Sequence, residues 1–272
     1  MTPVRKNRAW PVGLVLVASV MLCALLAPIL APQSPTEQVL AEGLKGPSRE
    51  HLFGQDRLGR DVLSRTLYGA RVSIWVATVA ISISLGIGLF VGLMAGHFGG
   101  WMDELLMRLV DILQAFPGIL LAIAFAAILG PSITNVVIAL SLISWVGYAR
   151  LTRGQILVVR EMEFVAAARA LGGRDIRVIL RHLLPNILGP IVVEASFGFA
   201  VMIIAEASLS FIGLGAQPPT PSWGAMLNEA RQYLLVAPHL TLFPGLAIVV
   251  AVMGFNFLGD GLRDRWDPRS GK

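Results

Sequence analysis

The sequence predicts an all-α polytopic membrane protein with six transmembrane helices. Three observations carry that expectation. Only 14 % of the 272 residues are charged while 55 % are hydrophobic, where a soluble domain carries about a quarter charged residues. The apolar residues arrive in six runs close to the ~20 residues a helix needs to cross the hydrocarbon core. The Lys and Arg residues gather in alternate loops between those runs, as the positive-inside bias demands. Low charge with high hydrophobicity excludes a disordered chain. The single cysteine, Cys23 inside an apolar run, excludes a disulfide scaffold.

The first run, 11–31, follows Arg5, Lys6 and Arg8. It exceeds the apolar core of a signal peptide, and Ala27-Pro28 and Ala31-Pro32 make poor cleavage sites, so 1–31 reads as a short N-terminus and a retained anchor helix. A polar loop, 32–71, comes next. Within it Arg57 and Asp61, and Asp61 and Arg65, stand four apart, which predicts ion pairs along an exposed helix. That helix either lies solvated at the outer interface or meets a partner. The second run, 72–95, leads into a stripe of Gly88, Gly92 and Gly96, small residues on which another helix of the same chain packs closely.

The third run, 112–129, carries Gln114 and Pro117, and the proline kinks it or opens its first turn. Asp103, Glu104, Arg108 and Asp111 flank its inner end in capping and packing roles. The fourth run is 133–149, with Asn135 inside it. The fifth, 187–214, holds Glu194 and Glu206; ionisable groups at membrane depth face a protein interior or a water cavity. Twelve residues separate them, so they lie about 120° apart around a helix and do not form a carboxylate pair. Glu206 shares a face with Ser210. Residues 213–225, GLGAQPPTPSWGA, hold too much Gly and Pro for regular helix; they read as an outer loop that dips back, followed by a short helix over 226–234. The sixth run, 240–258, ends at Asn256 and Asp260 before Arg263, Arg265 and the tail 261–272. Counted on this plan, fifteen Lys and Arg residues fall on the side of the termini and seven on the other, which puts both termini in the cytoplasm.

The loop 150–186 carries the most information. EMEFVAAARAL (161–171) is rich in helix formers, and Gly172-Gly173 suits a helix stop. A second helical pattern runs over 174–184, with Ile176, Ile179, Leu180 and Leu183 on one face and Arg174, Arg177 and Arg181 on another, until Pro185-Asn186 ends it. Two short helices at a Gly-Gly corner make either an interfacial element lying on lipid headgroups or a docking knob for a cytoplasmic partner.

Ala167-Ala168-x-x-x-Gly172 followed by Leu184-Pro185 resembles the EAA loop by which ABC-importer permeases engage their ATPases. Ala166 stands at the usual Glu position, and His182 at the usual apolar position before Leu-Pro. The strings FVAAARALG and RHLLPN, with 53–74, 96–123 and 205–227, are similar to the C-type permeases of the dipeptide, oligopeptide and nickel branch; the similarity covers roughly 50–260. It implies a permease core over 72–260 and a homologous second permease subunit. It also implies two cytoplasmic ATP-binding subunits that use ATP and Mg, an extracytoplasmic solute-binding protein, and residence in the bacterial inner membrane among its lipids. It implies ATPase coupling through Glu163, Ala167, Ala168, Arg169, Gly172, Arg181 and Pro185. Glu206 and Ser210 become candidates for the translocation path, with structural hydrogen bonding the favoured role of Glu206. Arg57, Arg60, Asp61 and Trp223 become candidates for binding-protein contact, Trp223 alternatively an interface anchor.

Di- or oligopeptides lead as the cargo, ahead of nickel or other small solutes. A secondary transporter or channel would show inverted repeats with broken helices, and no such repeat is visible. The chain has no P-loop, no zinc-type spacing, and four histidines (His51, His97, His182, His239) scattered over different segments. It is expected to be no enzyme, to hold no metal or cofactor of its own, and to bind no nucleic acid.

Overall fold

A computed structural model describes residues 9–266; Arg5, Lys6, Arg8, Arg269 and Lys272, which entered the charge count, lie outside the described residues. The described chain is helical with no strand: α1 (Ala9–Leu30), α2 (Val62–Phe98), α3 (Gly100–Gln114), α4 (Gly118–Leu129), α5 (Ile133–Val159), α6 (Glu163–Ala170), α7 (Asp175–Val178), α8 (Leu184–Phe211), α9 (Trp223–Ala230) and α10 (His239–Trp266). Five long apolar helices are able to cross a membrane: α1, α2, α5, α10 and the continuous helix 175–211. The pair α3–α4 supplies a sixth crossing only as a broken span, bent by 84°. Many large apolar side chains, among them Leu25, Ile29, Phe90, Ile128 and Val201, point outward, as they do when the solvent is lipid rather than water.

Packing follows the small residues. The backbones of α2 and α5 run parallel and close, with Gly88 against Trp145, Tyr148 and Ala149, Gly92 against Ala149 and Thr152, and Gly96 against Ile156. A Cβ at Gly92 would sit 2.5 Å from the Ala149 carbonyl oxygen, so only glycine permits this approach. Antiparallel α1 and α10 meet in the same way, Gly254 facing Leu16 and Val17, and Gly261 facing Trp10. Both described termini therefore sit at the end of the bundle that carries α6.

Several expectations need correction. The second helix begins at Val62, well ahead of its apolar run, because Asp61 caps it: the Asp61 carboxylate accepts the Ser64 N–H at 2.7 Å. No exposed helix occupies 54–71, and neither Arg57–Asp61 nor Asp61–Arg65 pairs. Pro117 breaks the third run outright, leaving α3 a separate amphipathic helix. The short outer helix starts at Trp223, three residues early, because the Ser222 hydroxyl accepts the Ala225 N–H at 3.2 Å and sets its first turn.

The helix over 175–211 is not ended by Pro185. Proline lacks an N–H and its ring crowds the preceding turn. Here Ile179–Leu183 widens into a π-turn, in which the Leu184 N–H reaches the Ile179 carbonyl, and the helix continues. The widened turn also rotates the expected apolar face. Val178 and Leu183 are buried, whereas Ile176 and Leu180 are exposed.

Candidate functional site

The α6–α7 element is built by its glycines. Gly172 adopts φ +80°, its N–H bonds to the Arg169 carbonyl at 2.9 Å, and the Gly173 N–H reaches back to Ala168 at 3.0 Å. These are the two bonds of a Schellman C-cap, which glycine forms without a Cβ penalty. Val165 and Val178 turn inward and join Ile156, Val159, Leu183, Ile187 and Ile191 in a small core that seats the element on α5 and α8. Two polar contacts seat it on α2: the His97 Nε2 lies 2.9 Å from Asp175 Oδ1, and the Arg160 guanidinium donates to the Gly96 carbonyl at 2.9 Å.

The outward face is a groove of about 470 Å³. Ala167, Ala168 and Gly172 leave it open, and Phe164, Leu171, Arg177 and Arg181 line it as well. Leu171 is 89 % exposed. Exposed apolar groups beside cations at the end of a membrane bundle suit contact with another protein or with lipid headgroups. Of the expected coupling set, Ala167, Ala168, Gly172 and Arg181 line this groove, whereas Glu163, Arg169 and Pro185 are exposed but lie outside its lining.

The two ends of the bundle are braced by ion pairs, several of them between side chains far apart in sequence. At the α6 end Arg153 holds Asp103 through two bonds of 2.5 and 2.7 Å, and Arg150 holds Asp111 at 2.6 Å. Asp103 and Asp111 thus tie α3 to α5, while Glu104 and Arg108 pair only at 3.8 Å. At the opposite end, Asp56, Arg60, Arg65 and Glu229 form a closed network. Arg60 bonds Asp56 and Glu229 at 2.5 Å each, and Arg65 approaches the same two carboxylates at 3.4 and 3.2 Å. Both arginine side chains are 2 % exposed. Asp61 pairs with His51 at 3.0 Å.

Burial corrects the docking assignments at this end. Arg60 and Asp61 face inward within the network and the α2 cap. Trp223 is 2 % exposed and its indole donates to the Thr66 carbonyl at 3.0 Å, so it neither anchors at the interface nor meets a partner. Of the four residues expected to contact a binding protein, Arg57 alone stays exposed.

Glu206 and Ser210 are likewise internal. Ser73 and Ser210 each donate to the Glu206 carboxylate at 2.7 Å, and the Ala216 N–H donates to the Ser210 hydroxyl at 3.3 Å. Glu206 is 1 % exposed; it joins α8, α2 and the loop after α8 and faces no open path in this conformation.

Comparison with known proteins agrees with this arrangement. Residues 88–272 match the family described as binding-protein-dependent transport system inner membrane component. The chain belongs to that family. Residues 4–47 match the N-terminal TM domain of oligopeptide transport permease C. The dipeptide transport system permease protein of Alkalihalophilus pseudofirmus is 47 % identical over 97 % of this chain and 87 % of its own length. The glutathione transport system permease protein of Escherichia coli is 50 % identical over 82 % of this chain and 74 % of its own. The inward-facing MetNI methionine ABC transporter aligns over 71 % of this chain and 91 % of the matched chain, with TM-score 0.58 at 19 % identity, a likeness of fold. The resemblance read from the sequence therefore holds, and this family member is an ABC-importer permease.

Proposed function

We propose that this permease is the C-type subunit of a bacterial peptide importer. In this reading it pairs with a homologous permease across a shared pathway, receives short peptides from an extracytoplasmic binding protein, and is driven by two cytoplasmic ATPases that use ATP and Mg. The chain itself is non-catalytic. Its termini and the α6–α7 element face the cytoplasm, and α3–α4 completes a sixth crossing of the inner membrane.

The observation that carries the reading is the α6 groove, an apolar, cation-rimmed surface of small side chains, fastened to α2 by His97 and Arg160 and to α5 and α8 by its core. A surface that only rested on lipid would not need to be seated on three spans at once. An ATPase that grips this groove differently in its two nucleotide states shifts the bundle between its conformations by that difference in affinity. The dipeptide and glutathione permeases among its relatives favour peptides as cargo over nickel.

The test is affinity purification of the tagged chain in mild detergent, followed by reconstitution with a labelled dipeptide. Co-purification of a second permease and ATP-binding subunits, with ATP-dependent uptake, is expected. A lone chain that moves solute without ATP would overturn the reading.

A further inference from the structure

A second cavity lies at the same end of the bundle, away from the α6 groove. It measures about 430 Å³ and sits between α5, α8 and α10, lined by Leu151, Pro190, Val193, Glu194, Phe197, Arg263 and Trp266. Pro190, Val193, Glu194 and Phe197 recur at helical spacing, so one stripe of α8 forms its wall. Arg263 and Trp266, three apart on α10, form another.

Two features make this more than a packing gap. The cavity holds one carboxylate and one guanidinium, both exposed, and among the described residues neither makes an ion pair or a hydrogen bond. Asp103–Arg153 and Asp111–Arg150 at the same end are closed pairs, and the unpaired cations Arg177 and Arg181 line the other groove rather than this cavity. An acid within an apolar span that has no cation on it is a candidate ligand contact. The remaining wall is apolar and aromatic, and the volume lies in the range of small-molecule sites.

We propose that this cavity is a binding site for a short zwitterionic peptide, with Glu194 accepting the terminal ammonium, Arg263 holding the terminal carboxylate through its fork, and Phe197 and Trp266 flanking the side chains. The proposal rests on the peptide-importer reading for its ligand class. A phosphatidylethanolamine headgroup offers similar charges, and the experiment separates the two.

The complex purified through this chain is placed in phosphatidylcholine nanodiscs without ATP, and a photoreactive dipeptide is crosslinked to it. Dialanine, N-acetyl-dialanine and dialanine amide serve as competitors. Crosslinks are expected on 190–197 or 263–266. In the wild-type complex, acetylating the amine or amidating the carboxyl weakens competition about tenfold or more, the value of one charge-assisted bond. In Glu194→Gln the acetyl group causes no further loss; in Arg263→Gln the amide causes none. A site shaped only by packing would lose both analogues equally in every variant, and that result overturns the proposal. Crosslinks elsewhere, or occupancy by phosphatidylethanolamine with no competition by dipeptide, overturn it as well. Dialanine uptake by intact cells is measured in parallel. Uptake without these crosslinks sinks the cavity alone, whereas absence of uptake sinks the importer reading.

Discussion

Replacing Glu229 with glutamine leaves Asp56 alone against two buried guanidinium groups. Glu229 accepts from Arg60 at 2.5 Å and from Arg65 at 3.2 Å, and glutamine removes the counter-charge from both contacts together. Breaking a buried pair from one side costs about 3–5 kcal/mol; the Glu229 side chain is 22 % exposed, so the lower figure, about 3 kcal/mol, applies. At 1.4 kcal/mol per decade this is roughly a hundredfold in the population of molecules with the 39–61 segment undocked from α9. Hydrogen exchange reads it directly. The amides of Val39, Leu44 and Gln55 bond to carbonyls within that segment, and its release from α9 is expected to open them to exchange. Their exchange is expected to accelerate about a hundredfold in Glu229→Gln and to stay unchanged in Arg57→Gln, whose side chain is exposed. Adding Arg60→Met to Glu229→Gln rebalances the charge, so the double variant should be less damaged than the two single losses together. Acceleration below about fivefold in Glu229→Gln would refute the claim that this network holds the 39–61 segment.

Gly92→Val should lower the aggregation temperature of the purified protein, since its side chain meets backbone of α5; a loss of about 2 kcal/mol or more is expected. Gly86, with no atom within 4 Å of its Cβ position, is the control, and Gly86→Ala should be neutral or stabilising by about 0.5–1 kcal/mol. Ala168→Arg and Gly172→Pro should insert normally yet leave ATPase activity uncoupled from transport; normal uptake would count against the docking groove. His97→Ala should lower the solute moved per ATP without loss of inserted protein, and an unchanged ratio would show that the Asp175 contact is dispensable. The Gln55 amide first, and then Lys45, hold the Glu42 carboxyl below its ordinary range. Its contacts therefore persist at neutral pH and are lost only as the pH falls through that lowered value. Gln55 side-chain exchange should rise only there, and a rise at the ordinary carboxylate range would contradict the assignment.

Local chemistry was legible in the sequence where it depended on neighbours in the chain. The Gly172–Gly173 stop, the glycine stripe of α2 and the apolar runs each follow from periodicity or backbone freedom within a few residues. What periodicity cannot carry is a partner far along the chain. Arg60 and Arg65 read as solvated charges because one of their two carboxylates, Glu229, lies more than 160 residues away, although the Arg60–Asp56 pair is only four residues apart and was within reach of the pattern; Asp103 and Asp111 read as caps because Arg153 and Arg150 belong to another run. Trp223 looked like an interface residue from its type alone; the space beside Gly69 that buries it is a product of the assembled bundle. Pro185 misled for a subtler reason. Its missing N–H is a local fact, but whether the helix stops or widens is decided by the core formed by Leu183, Ile187 and Ile191.

Helix α2 spans 37 residues, about 55 Å at 1.5 Å per residue, nearly twice the thickness of the hydrocarbon core. It carries Arg65 near one tip and His97 at the other, and the close glycine seam with α5 stiffens its second half. Such a rod acts as a lever. A tilt of about 5° about its middle moves the two tips by roughly 2.4 Å each, in opposite directions. Rocking of α2 at the His97–Asp175 contact would therefore also strain the Arg65 contacts at the far tip, because one unbroken helix joins the two ends of the bundle.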